Sequence, residues 1–424
     1  MNMFLCGNLK KLADLSFLIV ALQLGVKTAS AQERPYFITY SHEMEEPGNL
    51  EIESFSVAGK PQAGNAFLGS NLEFEYGVKT WWTTEFYIDG QTTQNDSTTG
   101  FRWENRLRPL LREHVINPVL YIEYENISAD KTLREVVGHD GAADFKTPNG
   151  NSHSKVAREM ELKLILGSNF RGWNLSENFI AEKNLNGNPW EFGYAWAASR
   201  PLGLAVKANA CSFCREKFQA GLEMYGGLGD ASNFGLVNTS HYFGPTFNWT
   251  APKWFTFSFS PQFGLNDYSF HHLYRFGISY EIDQFLGRFY KHSHDRDGLF
   301  ISLVMSSLVL MLGLSAFAEA NGKWLTKVPA RDHGRKNPYA NKKEAVAAGQ
   351  RIFLDHCAQC HGDDARGTKK RLPLRSERVQ QTATEGDLHW LLVNGNMREG
   401  MPSWAKLPDQ QLWQVITYVR SLDH

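Results

Sequence analysis

From about Tyr36 to Phe285 the chain alternates apolar and polar residues with a period of two. Leu72, Phe74, Tyr76 and Val78 alternate with Glu73, Glu75 and Gly77. Leu120, Ile122 and Tyr124 alternate with Tyr121, Glu123 and Glu125, and Met160 to Leu166 with Glu159, Glu161 and Lys163. Phe218 to Met224, Trp190 to Trp196 and Phe255 to Phe259 form further rows. A period of two puts successive side chains on opposite faces of a β-strand. Turn-forming clusters at Pro148-Asn149-Gly150, Asn184 to Pro189 and Gly226 to Asn233 separate the runs. The spacing predicts on the order of a dozen strands and an antiparallel β-barrel over residues 32–290.

Each run is about as long as a tilted strand needs to cross an outer membrane. One face is apolar and aromatic, and the other carries Glu, Lys, Arg and Ser. The run Tyr274, Phe276, Ile278, Tyr280, Ile282, ending near Phe285, resembles the closing strand of bacterial outer-membrane barrels. A soluble sandwich or lipocalin-like barrel alternates in the same way. The aromatic content of 13% favours the membrane form, where girdles of Trp, Tyr and Phe face lipid. A mean hydropathy of −0.39 is no objection, because alternation averages out. His271-His272 and His292-Ser293-His294 read as loop histidines rather than metal ligands.

Two segments depart from this pattern. At the N-terminus Lys10 and Lys11 precede an apolar core, Leu15 to Val26, and an A-x-A site at Ala29-Ser30-Ala31. Residues 1–31 therefore read as an export signal. Leu299 to Ala318 is an uncharged apolar run long enough, at about 1.5 Å per residue, to cross a bilayer of about 30 Å as a helix. A single inner-membrane span there would place the C-terminal region in the cytoplasm, opposite to the exported barrel. Arg288 and Lys291 before the run and Ala316-Phe317-Ala318 at its end also fit a second, internal signal, as in a fusion of two exported proteins. Spanning, cleavage and packing on the barrel all stay open for 299–318.

Beyond this run the period changes to that of helices. Asn341 to Glu344 predicts a helix start, with Asn as cap and Glu three residues on. The helix runs through Ala345, Ala348, Gly349, Ile352 and Phe353 into Cys357-Ala358-Gln359-Cys360-His361. A middle helix is expected from Asp387 to Val393, ended by Asn394-Gly395. A last helix is expected from Pro408, with Leu412, Val415, Ile416, Val419 and Leu422 on one face. CxxCH is the attachment motif of c-type haem: two thiols reach the porphyrin vinyls and the histidine reaches the iron. Forty residues on, Gly400-Met401-Pro402-Ser403-Trp404 offers a thioether for the other face. A zinc site would want a second ligand pair. The only other paired cysteines, Cys211 and Cys214, lack a following histidine and read as a loop disulfide or two idle thiols.

Residues 335–424 resemble the class I cytochromes c. The resemblance implies a small all-α domain in which Gly349 and Phe353 meet Val415 and Tyr418. It implies thioethers at Cys357 and Cys360 and one covalent haem c, whose iron is held by His361 and Met401. Met397 is the less favoured distal alternative. Pro402 would hold the Met loop, and Trp390 and Trp404 would pack round the haem.

The fold class is thus two-domain: a barrel of about 12 strands followed by a cytochrome c domain at 344–424, joined through a basic linker at 319–343. Residues 319–424 hold 17 Lys and Arg against 12 Asp and Glu, in a chain of net charge −1. A basic face suits acidic redox partners. The expected function is electron transfer rather than catalysis, with periplasmic donors or acceptors as partners and no nucleic acid. The barrel would hold the haem domain at the outer membrane, and cleavage near Ala318 would instead free it into the periplasm. A channel with a fused cytochrome, and the electron-accepting subunit of a periplasmic dehydrogenase, are the alternatives.

Overall fold

The computed structural model describes residues 35–59, 66–93, 97–128, 137–139, 156–209, 211–251, 255–285, 324–367 and 373–422. The export signal at 1–31, the apolar run 299–318 and His292 to His294 lie outside them.

Twelve antiparallel strands form one closed barrel: β1 (Leu50–Gly59), β2 (Phe67–Lys79), β3 (Trp82–Thr93), β4 (Ser97–Leu107), β5 (Asn117–Ser128), β6 (Val156–Phe170), β7 (Trp173–Asn184), β8 (Trp190–Pro201), β9 (Phe218–Asp230), β10 (His241–Thr250), β11 (Thr256–Gly264) and β12 (His272–Ile282). Each pairs with its neighbours in sequence, and β12 closes on β1 with Leu50 opposite Ile282 and Gly59 opposite Leu273. Closure leaves no unpaired edge. The barrel's two ends differ. The turns at 80–81 and 171–172, the start of β1 and the end of β12 share one end.

The alternation resolves into an inverted arrangement. Glu73, Glu75, Glu123, Glu125, Glu159 and Glu161 point inward and are at most 2% exposed. Leu68, Phe86, Ile88, Trp103, Phe247 and Phe276 point outward and are 43–54% exposed. In water this would leave a belt of aromatic and aliphatic surface unburied, far beyond an ordinary apolar patch. In a bilayer the belt is solvated by lipid, and the polar groups are satisfied inside. The soluble-barrel alternative requires the opposite facing. This is the architecture of an outer-membrane barrel.

Ion pairs knit the inner wall. Arg106 pairs with Glu75, Glu85 and, at 3.2 Å, Glu104. Arg102 bonds Asp89 at 2.9 Å and Glu123 at 3.3 Å, and Lys163 lies 3.0 Å from Glu161. Dehydrated charges persist only with such partners. Cys211 and Cys214 form a disulfide in the β8–β9 connection.

The C-terminal region is helical: α1 (Ala330–His333), α2 (Lys343–His356), α3 (Ala358–His361), α4 (Glu385–Asn394) and α5 (Asp409–Arg420). The crossing of α2 and α5 organises it. A Cβ on Gly349 would stand 1.9 Å from the Gln414 carbonyl oxygen, so only glycine allows this approach. Phe353 and Tyr418 meet beside it with ring centroids 5.3 Å apart, among Ile352, Val415 and Val419.

The helix starts differ in detail from expectation. Asn341 does not cap α2. It adopts φ +62°, and the helix starts at Lys343 behind Lys342 without a side-chain cap. The capping box lies instead on α4, between Thr384 and Asp387. Pro408 is the N-cap of α5 rather than its first residue. From residue 324 the basic stretch packs on α4 and α5: His333 bonds Asp387 at 2.9 Å and Asn337 bonds Thr417 at 2.9 Å. Trp324, Leu325 and Tyr339 join Leu388, Trp413 and Ile416 in a second small core.

One half-exposed cluster here carries a pH prediction. The His389 ring stacks on Trp413 and bonds Asp409 at 2.7 Å, and Arg335 bonds its other nitrogen at 2.9 Å. Burial alone would raise Asp409, but His389, Arg335 and Trp413 together hold it down at about 2. A depressed carboxylate stabilises the fold fully above the ordinary Asp value of about 3.9, and this is lost as pH falls through the depressed one. The helical domain should keep this contribution at pH 4 and lose it toward pH 2. Denaturation midpoints of Asp409→Asn should change less between pH 4 and pH 2 than those of the unaltered chain. Equal slopes would show the cluster to be inert.

Candidate functional site

The end of α2 delivers the CxxCH loop. The Cys357 amide still bonds the Phe353 carbonyl at 2.8 Å, so the first thiol is fixed by the helix. One further turn, α3, carries Cys360 and His361, whose amides return to the Cys357 carbonyl at 3.2 and 3.0 Å. Gly362 ends it at φ +78°. The two thiols are not joined to one another, unlike the equally spaced Cys211 and Cys214. Cys357, Leu374, Val379, Leu392 and Leu407 pack against the α2–α5 core, to which Ala365 belongs. Burial pushes the Cys357 thiol pKa well up, with Glu46 and Cys360 adding to the shift. A thiol held protonated in apolar surroundings at Cys357 suits covalent attachment of a flat apolar group better than thiolate coordination of zinc. Among the described residues, the clusters able to hold a metal ion contain glutamates alone and lie in the barrel.

The second loop follows α4. Asn396 and Met401 pair through both backbone bonds, 2.9 and 3.2 Å, and close a tight loop over Met397–Glu399. The loop depends on glycine at both ends. Gly400 has φ +78°, while Gly395 has φ +65° and no room for a Cβ, which would lie 2.6 Å from the Pro402 carbonyl. Met401 is partly exposed, whereas Met397 is buried at 4%. Trp404 is buried, with the His356 ring 5.3 Å away. Trp390 is partly exposed and lies under the Arg112 guanidinium of the β4–β5 connection, at 5.7 Å.

Both loops meet the barrel, which the sequence pattern did not foretell. Gln359, between the two cysteines, donates to Glu46 at 2.7 Å, and Lys406 lies 3.5 Å from the same carboxylate. Thr80, in the β2–β3 turn, donates to the Met397 carbonyl at 2.8 Å. Ser403 donates to Glu113 at 3.1 Å. Behind α5, Gln414 exchanges two hydrogen bonds with the backbone of Val206, at 3.0 and 2.8 Å. His356 was also missed: it is buried, and burial, then Lys406 and Lys217, push its pKa down to about 3. A cavity of about 1170 Å³ lies between the barrel rim and the helices, lined by Arg171, Lys217, His356 and Trp390, but by none of Cys357, Cys360, His361 or Met401.

Residues 344–419 match the family described as cytochrome c oxidase, cbb3-type, subunit III. The C-terminal region is a c-type cytochrome domain. Its relatives include cytochrome c550 of Pseudomonas aeruginosa, 33% identical over 94 residues, which cover 20% of this chain and 62% of that protein. The cbb3-type cytochrome c oxidase subunit FixPc of Rhizobium leguminosarum bv. viciae is 34% identical over 77 residues, 18% of this chain and 27% of that one. The chain thus spans less than two thirds of the length of either relative. With this family comes covalently bound haem c and its iron, and the unbridged thiols, the adjacent histidine and the apolar surroundings of Cys357 fit that group.

The barrel is similar to the KdgM porin, with 7% identity and a TM-score of 0.32, over 54% of this chain and 98% of that one. An outer-membrane channel from Pseudomonas putida F1 gives 10% identity and a TM-score of 0.37, over 57% and 97%. Scores this low carry no inference about what the barrel binds or passes.

Proposed function

We propose that the chain is a single-haem electron carrier held at the outer membrane by its barrel, with the cytochrome domain on the periplasmic side. When bound, the haem supplies a one-electron ferric–ferrous couple. Cys357 and Cys360 would hold it as thioethers, and His361 and Met401 would supply a nitrogen and a sulfur ligand to its iron. Pro402 and the Gly395–Gly400 loop hold Met401, while Trp404 shields the cleft. Soluble periplasmic redox proteins are the donors or acceptors, and no substrate is transformed. Residues 1–31 are removed on export, and residues 299–318 join the barrel, 32–290, to the domain at 344–424.

The observation that carries this reading is the pairing of an attachment-ready CxxCH turn with a barrel that faces apolar residues outward. The two-residue turns 80–81 and 171–172 and both barrel termini lie at the cytochrome end, as at the periplasmic side of outer-membrane barrels, although the longer β8–β9 connection, 202–217, lies there too. The channel alternative is disfavoured because chain residues 36–46 occupy the lumen.

The axial assignment has a direct test. Met401→Ala should remove the ferric charge-transfer band of thioether ligation and lower the potential, since a Met ligand raises it. Met397→Ala should leave both in place. The reverse pattern would assign the iron to Met397.

A further inference from the structure

The polypeptide before β1 does not run outside the barrel. It enters the lumen at Pro35 and crosses it. Asn248 of β10 donates to the Pro35 carbonyl at 2.9 Å, and Tyr36 donates to the Asn174 side chain of β7 at 2.9 Å. The amides of Ile38 and Thr39 both donate to one Glu223 oxygen of β9 at 2.7 Å. Asn178 of β7 clasps Tyr40 on both sides, accepting from its amide at 2.7 Å and donating to its carbonyl at 2.9 Å. On the opposite wall Tyr40 donates to Glu104 of β4 at 2.9 Å, Arg106 donates to the Glu43 carbonyl at 3.2 Å, and the Glu45 amide donates to Thr83 of β3 at 3.1 Å. Strands on opposite sides are therefore joined through one segment. Thr39, Ser41, His42 and Glu45 are at most 1% exposed.

The wall is shaped to receive it. A Cβ on Gly167 of β6 would lie 2.1 Å from His42 Nδ1, and one on Gly77 of β2 would lie 2.1 Å from the Glu46 carbonyl oxygen. Neither glycine has a positive φ, so close approach, not turn geometry, excludes a side chain there. Where the segment leaves the lumen, Glu46 meets Gln359 and Lys406 of the cytochrome domain.

We propose that Pro35–Glu46 is a built-in plug that closes the barrel to solutes, anchored inside by Glu223 and Asn178 and capped at its exit by the cytochrome domain. The barrel is then a sealed support whose pore opens only when this segment is withdrawn. This rests on the membrane reading of the barrel but not on the haem. The test is ion conductance of the purified full chain in planar bilayers, with heat-dependent gel migration to show a folded barrel. The unaltered chain should be silent apart from brief openings. Glu223→Ala removes the acceptor of both amide bonds and Gly167→Val displaces His42, so each should raise open probability about tenfold or more. Deletion of 35–44 should give steady open channels. Steady conductance of the unaltered chain, equal to that of the deletion, would overturn the plug. Silence of every variant in an inserted, folded barrel would overturn it too, because something else then fills the lumen. Failure to insert at all would count against the membrane reading instead.

Discussion

A chain with serine at both Cys357 and Cys360 is expected to reach the membrane with no covalent haem at all. The cytochrome cleft offers two thiols at the end of α2 and on α3, neither engaged in a disulfide. Serine keeps the size and the turn but cannot form a thioether. From the barrel side only Val206, in the β8–β9 connection and outside every strand, packs against the core around the thiols, so the strands should assemble normally. Haem staining after denaturing electrophoresis should fall from full to background, while heat-dependent migration of the barrel is unchanged. Replacing one cysteine alone should leave a single, weaker attachment. Full staining of the double variant would remove CxxCH from the account.

Gly349→Val should produce the largest loss of stability in the cytochrome domain. Its Cβ would collide with the Gln414 carbonyl at 1.9 Å and with Tyr418 Cβ at 2.9 Å. Backbone cannot yield as a side-chain tip can, so α2 and α5 must separate. Overpacking costs typically about 1–3 kcal/mol, and separating the helices adds the loss of the Phe353–Tyr418 contact. A domain with about 5–15 kcal/mol in total has little reserve against this. The denaturant midpoint of the haem domain should drop sharply, with Gly349→Ala intermediate and the barrel untouched. A midpoint within error of the parent would contradict the crossing.

Much of this was legible from pattern alone. Strands are written with a period of two, and Glu73 and Glu75 lie inside as their alternation with Phe74 and Tyr76 foretold. CxxCH and the helical periods of α2 and α5 are local in sequence as well. What the sequence concealed is non-local. Nothing about Glu46 or Gln359 marks them as partners 313 residues apart. The lumen path of residues 35–46 was also hidden: the period of two was read from Tyr36 onward, whereas the first strand starts only at Leu50. Gly77 was read simply as one position of its strand's alternation, and the reason for glycine there and at Gly167 appears only when the plug lies against them. The cap of α2 failed for a local reason: Asn341 takes the left-handed conformation that Asn tolerates, which moves the helix start one residue on.

The central claim is that one polypeptide joins a haem-bearing domain to an outer-membrane barrel. Haem staining of a denaturing gel, run on separated outer-membrane and soluble periplasmic fractions, tests it most directly. The account predicts a single haem-positive band in the outer-membrane fraction, slightly smaller than the 48.1 kDa chain. Haem confined to a much smaller soluble band would contradict it, and would show that the two halves part near Ala318 and act separately.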